Sequence, residues 1–187
     1  MKGAHLTTEQ IEAGLPEVLA SPQDRGSLEA IVIRPRVDER ELRQAARLSP
    51  EAGLEGDRWL GSSDGLLLPD GRPDPRAQVS LMNARILRLI AVDEERIALA
   101  GDNLVVDLDL GAANLPVGQK LSVGEVLLEI TDVPHTGCAK FTERFGRDAV
   151  QFVNAPERSS LHLRGRYARV LEAGTIRVGD VVVKGVH

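Results

Sequence analysis

A chain of 187 residues can form one domain with a sizeable core, or a domain with an appended arm. Hydrophobic residues make up 42% but aromatics only 3%, so Val, Leu, Ile and Ala must build the core. A net charge of −5 argues against nucleic acid as the partner. No apolar run approaches the roughly 20 residues of a spanning helix, and the polar start from Met1 to Gln10 lacks an apolar signal core. With one cysteine, the expected compartment is the reducing cytoplasm, with no membrane partner.

In chain order, Thr7 and Gln10 form a capping-box pattern, and Ile11, Leu15, Val18 and Leu19 follow at helical spacing. This predicts a helical arm over residues 1–27 and a main domain over 28–187. Leu28 to Ile33 reads as a strand stopped at Arg34-Pro35, while Glu39 to Leu48 suits a strand or a helix. Gly53 to Gly61 is a glycine-punctuated loop holding Asp57, Arg58 and Trp59, and Ser62 to Arg76 is a long Pro- and Asp-bearing loop. Gln78 to Leu81 predicts a strand. Asn83 to Leu99 predicts two short helices with Asp93 between them as a cap, and Gly101 to Leu104 a turn into a strand from Val105 to Leu110.

Two segments, Leu121 to Leu127 and Ile176 to Val182, each read as strand, Gly-acid turn, strand, and so predict two hairpins of a barrel. Between them, Ala139 to Val153 reads as one helix with Phe141, Phe145, Ala149 and Phe152 on its buried stripe. Arg164, Arg166 and Arg169 are expected on one face of a strand, as a solvated edge or facing an anion.

Cys138 is the only cysteine, so it has no internal disulfide partner. It is a small core residue, a ligand or a reactive thiol. A strand-to-helix junction at Pro134 to Cys138 favours the reactive reading, because a helix N-terminus stabilises a thiolate. His135 and Lys140 would tune it, and Gly137 would let a ligand approach the sulfur. Structural zinc spacing is absent: there is no Cys-x-x-Cys, and His5, His135, His162 and His187 are scattered. Asp57 and Arg58 are either a turn cap with a surface pair or an anion site in which Asp57 orients Arg58. Asn103 suits a turn for local reasons.

The ordered set Gly56-Asp57-Arg58-Trp59, Gln78-Val79-Ser80-Leu81, Gly101-Asp102-Asn103-Leu104, Leu121-Ser122-Val123-Gly124, the Cys138 segment and Gly174 to Asp180 resembles a MOSC domain protein. That family is related to the C-terminal domain of molybdenum cofactor sulfurase. The resemblance covers roughly residues 28 to 183. It implies a mostly β fold, a closed or partly closed β-barrel with a few peripheral α-helices. It also implies binding of molybdopterin-type molybdenum cofactor, or sulfur carriage, through Cys138, with reduction of N-hydroxylated compounds among the family's activities. Cys138 would be the catalytic residue and molybdenum ligand. Asp57, Arg58, Asn103, His135, Lys140, Arg164 and Arg166 would contact the cofactor. The chain is too short for the pyridoxal-phosphate desulfurase domain of the larger sulfurases, so a sulfur-donor or electron-transfer protein is the expected partner. The rival reading is a non-catalytic barrel that binds a small anion or a partner, with Cys138 as a packing residue. A third is a thiol redox sensor.

Overall fold

The computed structural model describes residues 5–63 and 65–185. His187 and the first four residues of the expected arm lie outside the described residues. Helix α1, Thr8–Leu19, starts as its capping box dictates: Thr7 Oγ1 accepts from the Gln10 N–H, and Gln10 Oε1 accepts from the Thr7 N–H. The strands are β1 Arg25–Ile33, β2 Glu41–Arg43, β3 Ala45–Ser49, β4 Gly53–Leu54, β5 Val79–Asn83, β6 Leu104–Asp107, β7 Lys120–Val123, β8 Val126–Ile130, β9 Arg166–Glu172, β10 Gly174–Arg177 and β11 Val181–Lys184. The other helices are α2 Ala84–Ala91, α3 Ala139–Phe145 and α4 Arg147–Val153.

Seven strands close into a barrel in the order β1-β11-β7-β8-β9-β5-β6, with β6 returning to β1. The fold is thus a closed barrel with a few helices, as expected. β5 and β6 are parallel and are joined across α2; the other neighbours in the barrel are antiparallel. β2 extends the β1 edge, and β10, β3 and β4 form a small second sheet.

Alternation along the strands builds two cores. Leu81, Leu104 and Val106 point into the barrel with Leu28, Val123, Leu128 and Val170. Met82 and Val105, their neighbours in sequence, point outward under Ile11, Ile86, Ile90, Phe141, Phe145 and Phe152. β5 and β6 are therefore covered on both faces, which is why they read as nearly continuous apolar runs. The arm belongs to the outer core through Ile11 and Val18. Among the described residues, no helix is long and apolar enough to cross a membrane.

Three expectations need correction. The segment from Ile176 to Val182 is not a hairpin: β10 pairs with β3, while β11 pairs with β1 and β7. The single helix from Ala139 to Val153 is two, because Gly146 at φ +93° ends α3 and begins α4. The second run after Asn83 is a 3-10 helix, Glu94–Ala100, and Asp93 makes no side-chain cap bond to it. The charged Glu39 to Leu48 segment resolves to strand, as β2 and most of β3.

Candidate functional site

A cavity of about 330 Å³ opens at one end of the barrel. Arg34 directly follows β1, and the loop it opens brings Arg36, Val37, Asp38 and Arg40. Arg58 comes from the turn after β4, and Ser80 from β5. Gly101 precedes β6. His135, Thr136 and Cys138 come from the loop after β8, Lys140 and Arg144 from α3, and Arg164 and Tyr167 from the start of β9. Among the described residues, six arginines and one lysine thus face a space with a single acid, Asp38.

The Arg34 wall is fixed by a buried knot. The Asp57 carboxylate accepts from Arg34 Nε and Nη2, both at 2.8 Å, and from the Arg34 N–H at 2.9 Å. It also accepts from Asn103 Nδ2 at 3.0 Å and from the Trp59 N–H at 3.0 Å. Asn103 Oδ1 takes Arg34 Nη2 and both donors of Ser80, while its Nδ2 also reaches the Val32 carbonyl. Asp57 therefore orients Arg34 rather than Arg58. Asn103 ties β1, β5 and β6 together behind the wall and does not line the cavity.

A second buried group forms the floor. Asp102 Oδ2 accepts from Arg164 Nη1 at 2.7 Å, and its Oδ1 lies 3.5 Å from His135 Nε2. Arg164 also lies over the Phe141 ring at 4.6 Å. Burial, against the pull of Arg164, pushes the Asp102 carboxyl up. Burial, then the charges of Arg164 and Arg34, hold His135 well below its usual range. His135 is therefore a neutral ring stacked on Tyr167 at 4.4 Å, not a cation beside the thiol. Its Nδ1 is buried without a partner. Burial, then the Asp102 charge, push the Tyr167 phenol up; Cys138 contributes in the same direction.

Cys138 is exposed, so it is not a packing residue. It caps α3 through its carbonyl, which accepts from the Thr142 N–H and Oγ1. The loop that carries it is held by Asn154, whose Oδ1 accepts from the Gly137 N–H at 2.8 Å and whose Nδ2 donates to the Gly137 carbonyl at 3.1 Å. A Cβ on Gly137 would sit 2.7 Å from Val150 Cγ2. This glycine is therefore needed for the loop to lie against α4.

Arg164, Arg166 and Arg169 part company. Gly165, at φ +113°, turns the chain between the first two, so strand alternation does not link them. Arg166 is buried and donates to the Leu115 carbonyl away from the cavity, and Arg169 pairs with Glu129 on the exposed side. Of the expected residues, Cys138, Arg58, His135, Lys140 and Arg164 meet at the cavity; Asp57 and Asn103 stand behind it, and Arg166 is elsewhere. The sequence reading missed Arg34, Arg36, Arg40, Arg144, Tyr167 and Asp102. A signal existed for three of them: Arg34-Pro35-Arg36-Val37-Asp38-Glu39-Arg40 is a basic loop directly after a strand.

Crowding of like charge is evident at Arg40. Its guanidinium lies over Gly101, with Nη2 3.0 Å from where a Cβ would stand. Its pKa is lowered by burial and then by Arg144 and Arg34. A bound anion would relieve that repulsion.

No curated protein sequence matches this chain. The YUAD protein from Bacillus subtilis has a similar structure, with a TM-score of 0.60 at 18% identity, covering 87% of this chain and 97% of that one. YiiM from Escherichia coli gives 0.54 at 19% identity over 87% and 70% of the two chains. YiiM from Geobacillus stearothermophilus gives 0.51 at 14% identity over 89% and 75%. At these identities the likeness speaks for the fold. The model of the MOSC domain matches residues 75–183, the greater part of the chain and most of its barrel, and the chain belongs to the MOSC domain family.

Proposed function

We propose that this chain binds a molybdopterin-type molybdenum cofactor in the cationic cavity, with Cys138 at its mouth as the thiol ligand of the metal. The observation that carries the reading is the convergence of six arginines and a lysine on one cavity, beside the sole cysteine, in a chain whose net charge is −5. The family is one associated with molybdenum cofactor binding.

The donor set fits such a group. Molybdopterin ends in a phosphate and has a polar pterin edge. Arginine forks match phosphate oxygens in pairs, and Ser80, Thr136 and Tyr167 add hydroxyl groups to the lining. Among the described residues, no three His, Cys, Asp or Glu side chains gather as a bare-metal site. Cys138 would then supply one ligand and the cofactor the others. The bound group would supply a redox-active metal, suited to reduction of N-hydroxylated compounds with an electron-transfer protein as partner. The protein's own part is to hold the anionic end with Arg34, Arg58, Lys140 and Arg144, and to shield the floor with the neutral His135 and Tyr167.

Exposure of Cys138 favours one second reading, in which the same thiolate attacks the outer sulfur of a donor protein's persulfide and the donor leaves as its thiol. The test is reconstitution with the cofactor, followed by gel filtration and metal analysis. Wild type should retain molybdenum. Lys140→Ala, at an exposed rim position, should retain less. Cys138→Ser should lose the metal or bind it more weakly. Full metal retention by Cys138→Ser would exclude ligation by the thiol. A one-sulfur mass gain on Cys138 in the presence of a sulfur donor would then favour carriage.

A further inference from the structure

Among the described residues the cavity holds a single acid, and that acid is placed like a ligand. Asp38 Oδ1 accepts from Lys140 Nζ at 2.6 Å and from Arg144 Nη2 at 3.2 Å, joining the loop after β1 to α3 across more than a hundred residues of sequence. Arg40 is the third cation whose charge acts on it. Its side chain is nevertheless 59% exposed. The carboxylate is thus within reach of solvent and of any competing anion.

Its loop is built to be released. One end is fixed at Arg34 by the Asp57 knot, and the other at Arg40, packed over Gly101. Between them, Arg36 is 80% exposed at its side chain and Val37 is 57% exposed. One turn hydrogen bond, from the Glu39 N–H to the Arg36 carbonyl, and one exposed Arg36–Glu39 pair stiffen the segment. Asp38 itself has φ +64°, a left-handed conformation that Asp tolerates better than most residues do. Little buried surface resists its movement.

We propose that Asp38 is a built-in anion that occupies Lys140 and Arg144 until a ligand bearing a phosphate-type dianion displaces it and opens the strap over residues 35–39. This rests on the anion-binding reading of the cavity. It also sets specificity. A competitor must replace the contacts of Asp38 Oδ1 to both Lys140 and Arg144, and a dianion brings more charge to that pair than a small monoanion does.

The test is isothermal titration of wild type and Asp38→Asn with inorganic phosphate at pH 8, with tryptic cleavage after Arg36 followed by mass spectrometry. Removing two exposed pairs that the ligand must otherwise break should tighten phosphate binding about fivefold in Asp38→Asn. In wild type, saturating phosphate should accelerate cleavage after Arg36; in Asp38→Asn, cleavage should be fast without phosphate. Equal or weaker binding by the variant overturns the proposal while leaving the anion cavity standing. Tighter binding with no phosphate-dependent change in wild-type cleavage also overturns it, because Asp38 would then be a nearby charge and not a displaced strap. If neither protein binds phosphate, the anion cavity itself fails, and this proposal with it.

Discussion

The knot at Asp57 predicts the most informative single substitution, Asp57→Asn. The carboxylate is 1% exposed and accepts from five donors: three on Arg34, one on Asn103 and the Trp59 N–H. A carboxylate offers only acceptors. An amide of the same shape must turn its NH2 group toward some of those donors and also gives up the charge that neutralises Arg34. Removing one partner of a buried ion pair costs about 3–5 kcal/mol. Because the Arg34 side chain is 24% exposed, water can recover part of this, and the low end, about 3 kcal/mol, is expected. For a chain of 187 residues that corresponds to a fall in Tm of about 6–12 °C. Urea unfolding should give the same loss at an unchanged m-value. Arg34 lines the cavity, so phosphate binding should weaken with it. A loss below about 1 kcal/mol would mean that the knot is not what fixes this wall, and the account of the site would need rebuilding.

Gly137→Ala should destabilise by about 1–2 kcal/mol through the collision with Val150, and Val150→Ala should relieve it in the double variant. The check is a double-mutant cycle by chemical denaturation; simple additivity would exclude the contact as the cause. Iodoacetamide should alkylate Cys138 in the folded protein, since the thiol is exposed, and mass spectrometry after a short pulse would detect a failure to react. His162 is held down to about 4 by burial and by Arg166. The unfolded chain therefore takes up a proton first as pH falls from 6.5, and this group's contribution, present above 6.5, is lost as pH falls toward 4. Its partial exposure limits the loss to about 1 kcal/mol. His162→Asn, which tolerates the residue's φ of +47°, should flatten that part of the stability–pH curve, and an unchanged slope would remove His162 as its source.

What the sequence revealed and what it concealed follow from the range of the interactions. The capping box at Thr7 and the buried stripe from Phe141 to Phe152 depend on neighbours three or four residues away, and both are present. The false hairpin at Ile176 to Val182 has the correct local chemistry, a Gly-acid turn with Gly179 at φ +93°. Its partner was misread because β10 pairs with β3, more than a hundred residues earlier. The same holds at the site. Asp57 stands beside Arg58 in sequence, so pairing them was the natural reading, but its bonds go to Arg34 and Asn103, 23 and 46 positions away. The arginine row failed for a local reason that the sequence did contain. Gly165 interrupts it, and Arg166 and Arg169 are an odd number apart, so they cannot share a face of one strand.

Composition misled in a further way, because a net charge is an average over the whole surface. At −5 it argues against a long polyanion as partner, but it does not describe a single cavity. The fold draws Arg34, Arg40, Arg58, Arg144 and Arg164 from four separate segments to one mouth. The acids Asp57 and Asp102 are placed behind that surface, where they fix Arg34 and Arg164 without presenting a carboxylate to the ligand. Low-dielectric walls then concentrate the remaining positive field inward, where it acts on small anions at short range. Asp38 is the exception that gives this arrangement its selectivity. Among the described residues it is the one carboxylate in front of the cationic wall, and it is carried on the exposed loop after β1. A field this strong with no internal competitor would hold any passing anion. With Asp38 in place, an incoming group must replace contacts to both Lys140 and Arg144, so a small monoanion exchanges one such charge for another, whereas a dianion brings added charge to the same two cations.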